Sequence, residues 1–199
     1  MKYNLYIMKT STWTQLAFCL LSSVFYACNS SHVYYLDATS GSNQNNGTSP
    51  RSAWQSIEHL KQISLQPGDK ILLKKGETFS GILELTGKGT YTHPIIIDAY
   101  GEGNQKPCIA GNDTSMYAVR IFNSDYFTIQ NLEISNTGKE RKAGRTGLKV
   151  ECTDYGISHN IRINNLTIRD VNGSLVKEEG GGSGILIVNG GDSIRSRFD

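Results

Sequence analysis

The amino-acid sequence predicts an all-β fold, a parallel β-helix, in which short strands stack in successive coils. The chain of 199 residues contains 21 Gly and only 4 Pro and is rich in β-branched residues, which favours strands joined by tight turns. Two segments also repeat one pattern: Asp125–Gly138 reads DYFTIQNLEISNTG, and His159–Asn172 reads HNIRINNLTIRDVN. Their apolar residues correspond at a constant offset of 34 positions. One such unit cannot bury its apolar face alone, so the repeat predicts units stacked on one another.

The composition of the chain excludes several classes of protein. Hydrophobic residues make up 38% and charged residues 19%, which suits one domain with a core and is too apolar for a disordered chain. The formal net charge of +2 excludes a strongly basic nucleic-acid-binding protein, so no nucleic-acid partner is predicted. The four Cys form no Cys-x-x-Cys motif and the four His lack ligand spacing, so no metal site is predicted.

Residues 1–28 are predicted to be a signal peptide and are set apart from the fold. Lys2 and Lys9 give a basic start, and residues 16–27 form an apolar run that is too short to span a bilayer. Met8 is an alternative starting residue, since MKTSTW is also a basic opening.

The end of the apolar run predicts how this peptide is removed. It reads FYACNSS, which resembles a bacterial lipoprotein cleavage site with Cys28 as the lipidated residue, and ordinary cleavage near Ala27 is the alternative. Both predict an exported protein, either a lipoprotein of the outer membrane or cell surface, or a periplasmic or secreted protein. Membrane contact is then predicted only through a lipid anchor. Without Lys2 and Lys9 the chain has 18 basic and 18 acidic residues, so charge for binding must come from local clusters.

The mature chain is predicted to begin with one strand and one short helix. Residues 29–49 hold the strand Val33–Leu36 and a polar loop, and residues 50–199 hold a capping helix and the first coils of the β-helix. Pro50 opens the helix. Its apolar face is predicted to lie on the core and consists of Ala53, Trp54, Ile57, Leu60 and Ile63.

Short strands without helical periodicity follow this helix. The clearest are Lys70–Leu73, Pro94–Asp98, Tyr117–Phe122 and Phe127–Ile129. Further alternating apolar pairs follow two glycines: Leu148 and Val150 after Gly147, and Ile185 and Ile187 after Gly184. Aligning these pairs with Val119 and Ile121 predicts that Arg120 and Lys149 occupy the same outward position on neighbouring coils.

Polar corner residues and two cysteines are predicted to have structural roles. Asn131 and Asn165 fall at the same corner of adjacent coils, which predicts a stacked Asn ladder that satisfies backbone groups of the turns. Cys108 and Cys152 are predicted either to fill the interior or to form a disulfide, and the sequence leaves both open.

The last residues predict an unfinished coil. The spacing from Ile187 to Phe198 equals that from Val150 to Ile161, so Phe198 is predicted to begin the second strand of a new unit. A coil that stops at Asp199 would leave a strand edge unpaired. The sequence therefore predicts the front part of a longer protein.

Three segments carry a resemblance to a known family. They read YYLDATSGSNQNNGTSPRSAW, QPGDKILLKKGETFSG and HPIIIDAYGEGNQKPCIAG, and the chain resembles secreted right-handed parallel β-helix proteins of polysaccharide-degrading bacteria over residues 32–199. Many of those are polysaccharide lyases of the pectate-lyase and chondroitinase/alginate-lyase type, and others are glycoside hydrolases. The resemblance implies a right-handed winding, an acidic polysaccharide as partner and Ca²⁺ as a candidate cofactor. Fold alone does not fix the reaction.

Lyase chemistry on a uronate needs a cation that neutralises the carboxylate and a base that removes the adjacent proton. Residues 139–149 hold five bases and one acid in a long turn, which favours a groove wall for an acidic glycan, with a solvated loop as the alternative. The leading hypothesis is β-elimination. Its candidate catalytic bases are Lys149 and Arg162, and its candidate substrate-binding residues are Arg120, Arg141, Lys142 and Arg145.

The sequence also leaves three alternative functions open. A glycoside hydrolase would need paired carboxylates, and the available ones are Glu151, Asp154, Asp170, Glu178 and Glu179. A non-enzymatic glycan-binding or surface protein could use the same scaffold. The third alternative is a gene remnant that aggregates through its last coil.

Overall fold

A computed structural model describes residues 31–199 of the chain. The predicted signal peptide and Cys28 lie outside the described residues. Within residues 31–199 no helix is long and apolar enough to cross a membrane.

The described part of the chain consists of short strands in three parallel sheets and one small corner pair. The first sheet has the spatial order β1 (Val33–Leu36), β2 (Lys70–Lys74), β5 (Ile95–Tyr100), β8 (Phe127–Gln130) and β12 (Arg162–Asn164). The second sheet has the order β3 (Thr78–Ser80), β6 (Cys108–Ala110), β9 (Glu133–Asn136) and β13 (Thr167–Val171). The third has the order β4 (Leu83–Leu85), β7 (Tyr117–Phe122), β10 (Thr146–Thr153) and β14 (Ser183–Gly190). The corner pair is β11 (Ile157–Ser158) with β15 (Arg197–Phe198).

From β2 onward the chain visits the three sheets in a fixed order, first, second and third, and then returns to the first. Each new strand pairs parallel with its counterpart from the previous pass. The predicted all-β architecture with parallel strands is thereby confirmed. The right-handed winding of a solenoid stays a prediction.

The core is formed by stacks of aliphatic side chains that face inward from each sheet. In the first sheet Ile71 pairs with Ile97, Ile97 with Ile129, and Ile129 with Ile163, and the first three are 0% exposed. In strands, alternate residues face the same side, so period-two patterning buries every second residue. Full burial of such a side chain contributes about 1.5–3 kcal/mol. The offset of 34 positions between the two repeats is the register in which β8 pairs with β12 and β9 with β13.

The predicted capping helix is wrong in conformation, but four of its five predicted core residues are buried and the fifth, Ile63, is partly buried. Two short 3₁₀ segments, Pro50–Ser52 and Ile57–Gln62, flank an extended stretch. Trp54 lies in that stretch because its backbone N–H donates to the Tyr35 carbonyl at 2.9 Å, which an α-helix would forbid. The side chains of Ala53, Trp54, Ile57 and Leu60 are nevertheless buried.

The register predicted for Phe198 is also wrong. Phe198 pairs with Ser158 in the corner pair and not with Ile161. The turn before it is longer than predicted, and the Asp154 carboxylate holds this turn by accepting hydrogen bonds from the backbone N–H groups of Ser193 and Ile194 at 2.8 and 2.9 Å.

The predicted stacking of the two Asn side chains is confirmed, whereas their predicted bonds to backbone groups of the turns are not found among residues 31–199: Asn131 Nδ2 donates to Asp98 Oδ1 at 2.7 Å, and Asn165 Oδ1 accepts from Lys106 Nζ at 3.1 Å. Asn165 Nδ2 donates to Asn131 Oδ1 at 2.7 Å, and both residues adopt positive φ angles of 48° and 58°. Asn tolerates this left-handed conformation better than most residues, which explains its use at the corner. Cys108 and Cys152 are both buried and free, so the filler alternative describes them and the disulfide does not.

Candidate functional site

The outward side of the third sheet carries a linked group of charged and aromatic side chains. We call it the charged face, and it consists of Glu84, Tyr117, Arg120, Phe122, Lys149 and Glu151. Strand register aligns these residues: Arg120 lies beside Glu84 on one side and beside Lys149 on the other. The predicted juxtaposition of Arg120 and Lys149 is therefore confirmed.

Arg120 is the centre of the charged face. Its Nη1 lies 2.6 Å from Glu84 Oε1 and its Nη2 lies 2.8 Å from Glu151 Oε2. The guanidinium carbon lies 4.1 Å from the centroid of the Phe122 ring and 5.6 Å from that of Tyr117, both within the range of cation–π attraction. The guanidinium is thus fixed by two carboxylates and two rings.

Lys149 completes this arrangement by binding the same acid. Its Nζ lies 2.8 Å from Glu151 Oε2. The chain itself thus supplies carboxylates for both neighbouring cations, Glu84 and Glu151 for Arg120 and Glu151 for Lys149. The repulsion between Arg120 and Lys149 is therefore offset internally, and it is not evidence for an acidic ligand.

Glu151 is held in its ionised form. Partial burial acts to raise its pKa, but hydrogen bonds from Lys149 and Arg120 outweigh burial and lower the pKa below its usual value. A carboxylate that stays ionised can stabilise positive charge on a sugar ring or accept hydrogen bonds from sugar hydroxyls. Glu84 and Glu151 bind the same Arg120 guanidinium through different nitrogen atoms.

A second feature lies at the edge of the same sheet, where β7 and β10 begin. It is a cleft of about 510 Å³, which we call the loop cleft; its lining is Asp113, Thr114, Lys139, Glu140, Arg141, Lys142 and Arg145. Three of the four predicted substrate-binding residues, Arg141, Lys142 and Arg145, are brought together here. Arg120 lies on the charged face.

Arg145 differs from its neighbours because its side chain is buried, with 1% exposure. Nη1 donates to the Ser115 carbonyl at 3.1 Å, and Nη2 donates to the carbonyls of Asp113 at 3.2 Å and Glu140 at 3.4 Å. Close approach requires Gly138, since a Cβ there would lie 2.2 Å from Nη2. Arg145 therefore joins the segment before β7 to the loop before β10.

The loop that forms the cleft wall is ordered by side-chain contacts to the next pass of the chain. Asn172 Oδ1 accepts from the Gly138 N–H at 2.9 Å, and Asn172 Nδ2 donates to the Gly138 carbonyl at 2.7 Å. Arg141 Nη1 donates to the Gly173 carbonyl at 3.2 Å. The basic loop is thus a fixed wall and not a freely solvated segment.

The two candidate bases from the sequence lie on different sheets. Lys149 belongs to β10 of the third sheet, whereas Arg162 belongs to β12 of the first and is exposed, with its Nε donating to Asn160 Oδ1 at 2.8 Å. The structure does not bring them together.

Glu84, Tyr117 and Phe122 belong to the charged face but were not among the predicted site residues. The alternation Leu83–Glu84–Leu85 was the available signal, because it marks a strand with Glu84 facing outward. The pairing of that strand with β7 spans a longer stretch of sequence than the offset between the two repeats, so the repeat did not predict it. In residues 31–199 no group of three or more His, Cys, Asp or Glu side chains could hold a metal ion.

Comparisons with known proteins relate the chain to carbohydrate-active enzymes. No family model matches the sequence. The chain is 27% identical over 80% of its length to the lacto-N-biosidase of Bifidobacterium longum subsp. longum, of which it covers 13%. It is 32% identical over 33% of its length to the alpha-1,3-galactosidase A of Akkermansia muciniphila, of which it covers 11%.

A solved structure matches the described fold. The crystal structure of the GH136 lacto-N-biosidase from Eubacterium ramulus aligns with a TM-score of 0.68 and 28% identity, over 83% of this chain and 33% of that one. The chain thus spans about a third of this solved relative and a smaller share of the curated relatives.

These relatives correct the expected reaction. The expectation of a polysaccharide lyase of the pectate, alginate or chondroitin type is wrong, because the proteins that this chain resembles at this level are glycoside hydrolases. The expected link to carbohydrate is supported.

Proposed function

We propose that this chain is part of a glycoside hydrolase built on a right-handed parallel β-helix, and that it acts on glycans by hydrolysis. The observation that carries the proposal is the alignment with the lacto-N-biosidase structure at a TM-score of 0.68 and 28% identity. The substrate we propose is accordingly a lacto-N-bioside or a related glycan.

The charged face supports this proposal chemically. Tyr117 and Phe122 offer apolar ring surface, and sugar rings pack well on aromatic side chains because both present apolar faces. Glu84 and Glu151 flank Arg120 on the same face, and a pair of carboxylates is what glycoside hydrolysis needs. We propose that Glu151, which stays ionised, faces the sugar.

The test measures hydrolysis with the full-length protein that contains residues 1–199. An aryl lacto-N-bioside is incubated with the protein, and released phenol and free sugar are quantified. We expect release in the wild type and a loss of about 100-fold or more in Glu151→Gln, because a neutral amide cannot stabilise positive charge in the transition state.

The matched control is Glu133→Gln. Glu133 is also an outward Glu paired with an arginine, since its Oε1 lies 2.7 Å from Arg169 Nη2, but it belongs to the second sheet. We expect it to retain full activity. Absence of hydrolysis in the wild type would overturn the proposed activity, and equal losses in both variants would remove Glu151 from it.

A second candidate function is a glycan-binding module without activity. It is favoured by the internal ion pairs of Glu84 and Glu151, which occupy both carboxylates in the described structure. It predicts saturable glycan binding in calorimetry with no new reducing ends.

We also propose that the chain is exported and anchored through a lipid on Cys28, and that residues 29–49 and 50–199 form one mature unit. The support is the apolar run and the FYACNSS segment alone. Labelling cells with a radioactive fatty acid tests it: label should enter the wild type and not Cys28→Ser, and label in both would contradict the anchor.

A further inference from the structure

We propose that the loop cleft is a subsite for an anionic substituent of the glycan, a carboxylate or a sulfate group. This inference rests on the proposed function only in taking the ligand to be a glycan. It concerns a different place from the charged face and a different chemistry from the neutral sugar contacts proposed there.

Arg145 is a buried cation that no acid neutralises within residues 31–199. Arg145 is 1% exposed, and among the described residues no carboxylate lies within ion-pair distance of it. Its Nη atoms bind only backbone carbonyls, and its Nε has no hydrogen-bond partner among the described residues. A buried charge normally requires a compensating charge. The cleft that Arg145 lines offers a place for one.

The side chains that line the loop cleft carry an excess of positive charge. The cleft brings four basic and two acidic side chains together, a formal excess of two positive charges. One basic residue is paired, because Lys139 Nζ lies 3.6 Å from Asp113 Oδ2. Arg141 and Lys142 are exposed, and no carboxylate pairs with them in the described part of the chain. Their donors can therefore reach a ligand directly, while the buried positive charge of Arg145 attracts an anion electrostatically.

The wall of the loop cleft is ordered before any ligand binds. The wall is fixed by the two hydrogen bonds between Asn172 and Gly138 and by the bond from Arg141 to Gly173. A ligand would therefore meet donors that are already in place, which lowers the entropy cost of binding. A loop kept only for solubility needs none of these contacts.

The position of the cleft suits a substituent of a glycan that lies on the charged face. The cleft loop continues directly into β10, which carries Lys149 and Glu151, and the Asp113 segment continues into β7, which carries Tyr117 and Arg120. A sugar on these strands would extend its substituents across the edge of the sheet and into the cleft.

The experiment measures binding by calorimetry with the full chain and three probes. The probes are a neutral oligosaccharide, the same backbone with a carboxylate, and the same backbone with a sulfate. We expect either or both anionic probes to bind about tenfold or more tightly than the neutral one, because charge-assisted hydrogen bonds exceed neutral ones in strength. The two anionic arms distinguish a carboxylate ligand from a sulfate ligand.

Two double variants separate this cleft from general charge. Arg141→Gln with Lys142→Gln should abolish the preference for anionic probes and leave neutral binding unchanged. Arg51→Gln with Lys61→Gln removes the same charge from exposed positions elsewhere and should preserve the preference. Circular dichroism checks folding, and Lys142→Gln alone is a milder version at an exposed side chain.

The outcomes distinguish this inference from the proposed function. Equal affinity for neutral and anionic probes, or a preference that survives the cleft variants, would overturn the subsite even if hydrolysis is observed. A preference lost only in the cleft variants would support the subsite even if no hydrolysis is detected.

Discussion

At the scale of single residues, the structure uses carboxylates as organisers of neighbouring strands. Asp125 is an example away from the charged face. Its Oδ1 accepts from the His159 backbone N–H at 2.8 Å and lies 3.0 Å from His159 Nδ1, and its Oδ2 accepts from the Tyr155 hydroxyl. Partial burial acts to raise the pKa of Asp125, but these hydrogen bonds outweigh burial and lower it.

This lowered pKa predicts a specific dependence of stability on pH. The contribution of Asp125 is fully present above the unfolded pKa of about 3.9 and is lost as pH falls through the lower folded value. Asp125→Asn should therefore lower Tm near neutral pH, and the difference from wild type should shrink in acid. Thermal melts from neutral to acid pH measure this. Asp192→Asn, an exposed control, should show no such trend, and a constant deficit in Asp125→Asn would refute the linkage.

Individual residues also show where sequence reasoning reached its limit. The position of Arg120 beside Lys149 followed from strand alternation, because the period of two is visible in the sequence. Glu84, which pairs with Arg120, lies a full pass earlier in the chain, and the sequence between those passes contains no repeat to count. The burial of Arg145 had no signal in the sequence, since it depends on Gly138 and three carbonyls that only the folded chain assembles.

At the scale of elements, inward stacks determine strand register. The stack Ile71–Ile97–Ile129–Ile163 crosses four strands of the first sheet. Its repeat was predictable because every second residue of each strand is apolar. The 3₁₀ segments were not predictable, because the spacing of the apolar residues from Ala53 and Trp54 onward also suits one face of an α-helix. Only the pairing with β1 selects the extended form at Trp54.

The stack predicts a graded effect of truncation. Ile129→Ala should lower the free energy of unfolding by about 2–5 kcal/mol, because it creates a cavity at a side chain with 0% exposure. Ile163→Ala removes the same atoms from a partly buried position and should cost less. Urea unfolding of both variants measures the difference. Equal losses in the free energy of unfolding would contradict a core whose burial decreases toward β12.

At the scale of the whole described molecule, burial changes along the third sheet. Leu148 and Val150 on β10 are buried, whereas their partners on β14, Ile185 and Ile187, are 43% and 57% exposed. Among the described strands, β14 pairs only with β10. Such an edge with apolar side chains favours association between chains.

Residues 31–199 produced alone should therefore self-associate as concentration rises, and Ile187→Lys should reduce this. Sedimentation velocity over a range of concentrations provides the measurement. Tyr91→Lys is the matched control, since Tyr91 is 76% exposed on a turn away from this edge. Equal effects of the two substitutions, or no association in the wild type, would contradict the role of β14.

The uneven length of the passes has a consequence for how such a protein diversifies. Glu133 pairs with Thr167, whereas Thr146 pairs with Ser183, so the second interval is three residues longer although both pairs lie in adjacent passes. One extra residue produces a register shift in β13 between Arg169 and Val171, the others lie between β13 and β14, and β14 still pairs with β10 in one continuous register. The turns between strands can therefore accept insertions while the inward aliphatic side chains of neighbouring strands stay aligned. A library that varies only the corner before β10 would sample new ligand preferences on a scaffold whose folding information lies elsewhere.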